Sequence, residues 1–266
     1  MIKQIVKTVI ISFGYDLVKS SKPSQITEYP FINTLELILE SYPVQNSDFF
    51  IVQIGAHDGA SADPICQLIK KNHWRGLLIE PQRKPFDQLK ETYQEETQIS
   101  LENILIGKED GTATLYTVRY EKDLMPFWLS QAASLDRSMV SGMLYYFKFV
   151  ENLETLPEDY ESLIEEQTIP SMTVNTLISK HAIKKIDLLV IDTVGFDFEI
   201  LKMVPFDTLK PNIIHFEHSL LSPEDQMSCF KLLTALGYGL TQVAVDTIAY
   251  LNVPIRQGKY VVSSQV

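Results

Sequence analysis

The sequence predicts an α/β fold in which a mostly parallel sheet carries helices on both faces. Two observations predict it. Apolar runs of strand length alternate with helical patterns along the chain. The strand-length runs are also apolar throughout rather than alternating, as expected where both sheet faces are buried. Composition agrees: 266 residues, 45% hydrophobic and 21% charged, suit one domain with insertions and enough apolar surface for a full core.

Taken in order, residues 1–20 are apolar but interrupted by Lys3, Lys7, Asp16 and Lys19. A spanning helix needs about 20 nearly uninterrupted apolar residues, and no small-residue cleavage site follows. The stretch reads as an amphipathic helix that packs on the domain or rests on a membrane surface, without stable insertion. Residues 1–48 are therefore expected to be an N-terminal helical segment, and 49–266 the main domain. Candidate strands are FFIVQI (49–54), GLLIE (76–80), NILI (103–106), IDLLVID (186–192) and NIIHFEH (212–218). Helical patterns occupy 84–96 and 197–204. Residues 239–252 and 259–263 suggest closing strands with an antiparallel partner. The segment at about 121–167 breaks the rhythm with MPFWLSQAASLDRS, the aromatic MLYYFKFV and an acidic run. It has no strand signal of its own and reads as a helical lid insertion over the strand ends.

A net charge of −11 argues against a nucleic-acid surface, which needs clustered Lys and Arg. Cys66 and Cys229 are far apart, in no metal-type spacing, and read as core thiols of a cytoplasmic protein. No spacing of ligand-type residues calls for a metal.

The most informative stretch is FIVQIGAHDGASADP. A buried strand ends at Ile54, and Gly55 and Gly59 bracket a tight turn where backbone can approach a ligand closely. In open α/β sheets, ligands bind outside the carboxyl ends of the strands. Glu80, ending the second strand, can accept hydrogen bonds from both hydroxyls of a ribose. Turn, spacing and acid describe a nucleoside-bearing cofactor; an ordinary β–α turn is the plainer alternative. The G-x-x-x-G spacing departs from the dinucleotide fingerprint G-x-G-x-x-G. Asp58 inside the turn would repel a pyrophosphate yet suit the positively charged end of S-adenosylmethionine.

VQIGAHDGASADP, GLLIEPQRKPFDQL, NILIGKEDGTATLY, TVNTLISKHAIKKIDLLVIDTVGFDFEILKMV and KPNIIHFEHSLLS, in this order, resemble the FkbM-type methyltransferases over residues 50–222. The resemblance implies a class I, seven-stranded Rossmann-like fold that uses S-adenosylmethionine, with S-adenosylhomocysteine as product, for O-methylation. It implies that Gly55, Ala56 and Gly59 form the methionine-side loop and that Glu80 holds the ribose, followed by Pro81 and Gln82. Asn103 and Ile104 would border the adenine, and Asp192 would sit beside the sulfonium. Gln53, His57, Asp58 and Asp63 complete the expected cofactor set. Two residues depart from the family pattern: His57 stands where relatives carry Asn, and Val194 where the turn usually has Glu before Gly.

A hydroxyl acceptor needs a base, whereas a carboxylate acceptor needs none. Asp192, Glu217 and His218, at adjacent strand ends, are the candidates, and His218 has the pKa best suited to the work near neutrality. The lid is expected to supply the acceptor pocket through Trp128, Ser134, Asp136, Arg137 and Tyr145, with Val194 facing them. The expected function is methyl transfer to a hydroxyl or carboxylate of a natural product, peptide or sugar. The alternatives are a catalytically impaired binding protein that lost the Glu at 194, and a nicotinamide-dependent oxidoreductase, which the glycine spacing disfavours.

Overall fold

The computed structural model describes residues 34–40, 42, 48–151 and 154–251. The expected helix at 1–20, most of the 1–48 segment and the closing strand at 259–263 lie outside them. Among the described residues no helix is long and apolar enough to cross a membrane.

The chain begins with α1 (Thr34–Leu39), β1 (Phe50–Ile54), α2 (Cys66–Asn72), β2 (Arg75–Ile79), α3 (Arg83–Thr92) and β3 (Ile99–Glu102). It continues through β4 (Leu105–Ile106), β5 (Gly111–Val118), β6 (Ala133–Ser134), α4 (Arg137–Phe149) and β7 (Ile164–Met172). The last elements are α5 (Val174–Lys180), β8 (Leu188–Ile191), α6 (Asp197–Met203), β9 (Ile213–Glu217), α7 (Pro223–Ala235), β10 (Gly239–Val243) and β11 (Asp246–Tyr250).

Seven strands form the main sheet in the order β10-β11-β9-β8-β1-β2-β3. Four neighbouring pairs are parallel, and β11 runs antiparallel to both β9 and β10. This is the class I methyltransferase-like arrangement. Strand parity sorts the core. Val52, Ile54, Leu77, Ile79, Leu189 and Ile191 face α5, α6 and α7. Ile51, Leu78, Leu188 and Val190 face α1, α2 and α3. Burial on both faces is why these strands read as continuous apolar runs. The chain builds outward from β1 to β3, then returns to place β8 on the other side of β1. The β1/β8 boundary is thus the topological switch point, where a ligand crevice opens.

The region between β3 and β8 departs from the sequence reading. NILI does not form the third sheet strand. The preceding ISLE does, while Leu105 and Ile106 turn away into a second sheet of order β4-β7-β5-β6. Asn103 marks the break, because its side-chain amide donates to the carbonyls of Glu80 (2.8 Å) and Pro81 (2.9 Å). The segment 121–167 is not simply helical. It holds α4 and a 3₁₀ turn (Phe127–Gln131), but also β6 and the start of β7. The acidic residues Glu165 and Glu166 are exposed strand positions paired with Thr117 and Tyr116 of β5.

Candidate active site

The cavity lies at the switch point, between the C-terminal ends of β1, β2 and β8 and the second sheet. It spans about 650 Å³ of space free of protein atoms, part of it open to solvent.

Gly55 has φ +85°, and a Cβ there would lie 1.8 Å from the Asp192 carbonyl oxygen. Only glycine lets the β1 and β8 exits pass this closely. Gly59 (φ +67°) serves packing instead, since a Cβ would meet Leu89 and Tyr93 at 2.4 and 2.6 Å. The Asp58 carboxylate closes the turn on itself, accepting from the Ala60 and Ser61 amides and the Ser61 hydroxyl. Burial works to raise its pKa, but these bonds prevail and lower it.

Glu80 is buried yet lines the cavity. Its Oε2 accepts from the His57 amide (2.8 Å) and its Oε1 from the Gln82 amide (2.7 Å). Each oxygen keeps a further lone pair for a ligand. Burial lifts its pKa to about 7, against those two bonds and with help from Asp192 and Asp58. His57, also in the wall, has φ +47°. Burial lowers its pKa, and neither buried ring nitrogen has a hydrogen-bond partner. The gap to Asp58 Oδ1 is 3.7 Å. Behind the wall, Gln53 Nε2 donates to Asp63 (2.8 Å) while Gln53 Oε1 is buried without a partner. Asp63 also caps α2 through the Ile65 and Cys66 amides. Burial raises its pKa.

Asp192 faces the cavity from the end of β8. It is exposed to solvent, although protein atoms pack around its carboxylate. That crowding, with Asp63 nearby, raises its pKa to about 6. Glu217 is raised to about 7 by burial and by Asp192, and Asp246 to about 6 by burial and by Asp192. No Lys or Arg is among the described residues lining the cavity.

The structure brings Gly55, His57, Glu80, Pro81, Gln82, Ile104, Ser134, Asp192 and Val194 to one wall-to-wall site. Gln53, Ala56, Asp58, Gly59, Asp63 and Asn103 stand behind it as supports. Glu217 and His218 are outside the lining. Glu217 accepts from the Ser219 hydroxyl (2.6 Å). The His218 ring turns to the β10–β11 hairpin, with Nδ1 3.0 Å from Thr247 Oγ1.

Four expected acceptor residues are also elsewhere, each for a local reason. Trp128 packs on Phe147, ring centroids 3.5 Å apart. Asp136 caps α4 through the Ser138 amide. Arg137 pairs with Glu161 at 3.0 Å. Tyr145 packs against Phe149 and Tyr160. Sequence reading missed the apolar wall of Leu105, Ile106, Leu115, Ala133, Leu135 and Phe196. Its visible signal was the apolar run NILI, which holds Leu105 and Ile106.

The family model for the methyltransferase FkbM domain matches residues 53–242. No curated protein matches the chain. Among solved structures, the chain is similar to methyltransferase FkbM from Methylobacillus flagellatus KT, at 14% identity and TM-score 0.45. That match covers 77% of this chain and 44% of that one, so the chain spans less than half of the solved protein's length. It is also similar to the N-terminal domain of human METTL16 in complex with SAH, at 10% identity and TM-score 0.41 over 94% and 81% of the two chains. A third likeness is precorrin-6y C5,15-methyltransferase from Geobacter metallireducens GS-15, at 10% identity and TM-score 0.39 over 89% and 98%.

Proposed function

The chain belongs to the FkbM methyltransferase family, and on that premise we propose that it methylates an oxygen of a small-molecule or peptide acceptor from S-adenosylmethionine. The observation that carries the reading is Glu80: a carboxylate fixed by two backbone amides at the edge of the cavity, with a lone pair left on each oxygen. It suits the two hydroxyls of a ribose.

The residues present fit the cofactor. His57 adds a polar side chain to the cavity lining beside Glu80. Glu80 and Asp192, with no Lys or Arg among the described lining residues, favour a cation. Glu80 would hold the ribose, Gly55 would give the backbone room, and Ile104 would border the adenine. When bound, S-adenosylmethionine supplies an electrophilic methyl group on a positively charged sulfur. Asp192 would face that charge and accept the proton of a hydroxyl acceptor. It is the one of the three candidate bases that lines the cavity, and a pKa of about 6 leaves it ionised at neutral pH. The apolar wall formed by Leu115, Ala133 and Leu135 supports an acceptor without phosphate groups. Natural-product, peptide and sugar oxygens are the proposed targets, in the cytoplasm.

Titration calorimetry with S-adenosylmethionine, S-adenosylhomocysteine and NAD tests the reading. Both sulfur compounds should bind and NAD should not. Glu80→Gln should weaken binding about tenfold or more, the scale of a lost charge-assisted hydrogen bond, with the melting temperature read alongside. Failure of both sulfur compounds to bind would overturn the proposal.

A further inference from the structure

The turn after β8 is held in a conformation that its own sequence disfavours. Val194 has φ +50°, in the left-handed region where a β-branched side chain crowds its own backbone. It is nonetheless buried and lines the cavity, two residues from Asp192. Gly195 follows at φ +90°. One restraint is local: Asp197 Oδ2 accepts from the Thr193 hydroxyl at 2.9 Å. The other comes from 60 residues away, where the Ser134 hydroxyl donates to the Val194 carbonyl at 2.9 Å, with both groups buried.

Ser134 is itself anchored. It lies on β6, paired with Tyr116 of β5, so the second sheet fixes its position. Its oxygen accepts from the Asp136 amide at 3.2 Å, which leaves the hydroxyl proton for Val194. We infer that Ser134 is a positioning residue, a clasp from the second sheet that holds the 193–195 turn left-handed and so fixes Asp192 and Val194 against the cavity. Without the hydroxyl, a buried carbonyl loses its donor and the strained valine is free to relax toward negative φ, with Gly195 as the pivot. The consequence for ligand binding rests on the proposed function; the clasp itself is a property of the ligand-free chain.

The test uses the full chain as wild type, Ser134→Ala, and Ser134→Ala combined with Val194→Asn. Asparagine tolerates the left-handed region far better than valine, so it should hold the turn without the clasp. Hydrogen exchange of the ligand-free amides at 193–196 and calorimetric affinity for S-adenosylmethionine are the readouts. Ser134→Ala should speed exchange and weaken binding by about tenfold each, as for a buried carbonyl left without its donor, and adding Val194→Asn should restore the slow exchange. Unchanged exchange in Ser134→Ala overturns the clasp. So does fast exchange that Val194→Asn fails to slow, because the hydroxyl would then act by packing alone. If the wild type fails to bind the cofactor, the proposed function falls while the exchange arms still judge the clasp.

Discussion

On the β1–β2 side of the cavity, the working groups are fixed by nearby backbone. Glu80 is gripped by the His57 and Gln82 amides, and the Gly55 and Ala56 amides donate to Ile79 within the same strand ends. On the β8 side, the 193–195 turn is fixed by a side chain from another sheet, 60 residues away, and it carries left-handed strain at Val194. The first wall has one arrangement available to it. The second keeps its arrangement through a bond that can be cut, so the β8 wall depends on the second sheet in a way that the β1–β2 wall does not.

The largest effect should come from attacking the place where the two walls meet. Gly55→Ala puts a Cβ 1.8 Å from the Asp192 carbonyl and asks alanine to take φ +85°. Backbone on both sides has to move, so a loss of more than about 3 kcal/mol is expected, in the range reserved for severe local conflicts. Cofactor affinity should fall by more than a hundredfold, since 2.7 kcal/mol is already about that factor. Denaturant unfolding and calorimetry check it. An alanine variant of near wild-type stability and affinity would break the claim that the walls are packed backbone to backbone.

This contrast also explains what was legible in the sequence. The main sheet, Gly55 and Glu80 were readable because each leaves a mark in its own short run of residues: a continuous apolar strand, a glycine turn at a strand end, and an acid closing a strand. The second sheet was not, because β4 and β6 are two residues long and exist only through pairing with β5 and β7. Glu165 and Glu166 suggest a solvated helix when read alone; paired with β5, they are exposed positions of β7. Trp128 and Tyr145 have the composition of a stacking platform but satisfy a local cluster with Phe147, Phe149 and Tyr160. The left-handed φ of Val194 leaves no mark in sequence, since a valine there is what propensity argues against.

A smaller effect follows from the uncompensated acids. Glu80 and Glu217 titrate near 7 in the fold and near 4.3 when unfolded. The folded protein therefore holds their protons more tightly, and their contribution is present at low pH and lost as pH rises to about 7. His57 and His215, whose burial lowers their pKa values, act in the opposite sense, but below about 6.5, the ordinary value for histidine. Between pH 6.5 and about 7.5 the acids are still losing the last of this contribution, so the melting temperature of the ligand-free protein should decline there. A cationic ligand favours the ionised acids, so binding should release protons, read as a buffer-dependent enthalpy. A rising melting temperature across that window would remove the electrostatic case for a cationic ligand.

The smallest effect is expected at His218, and it separates the cavity from its surroundings most sharply. By sequence this was the best-placed base; in the fold its ring is engaged with Thr247 on the hairpin, and its pKa is lowered by burial. Losing that contact in His218→Ala should cost about 1 kcal/mol of stability, an ordinary hydrogen bond. Once an acceptor is in hand, the rise of kcat/KM with pH, which reports the free enzyme, should keep its midpoint near 6, because Asp192 faces the cavity and its pKa is raised to about 6. Asp192→Asn should abolish that rise, by contrast, in an enzyme acting on a hydroxyl. If His218→Ala shifts the midpoint instead, the base is on the β9 exit, and the hairpin that holds it must open during turnover.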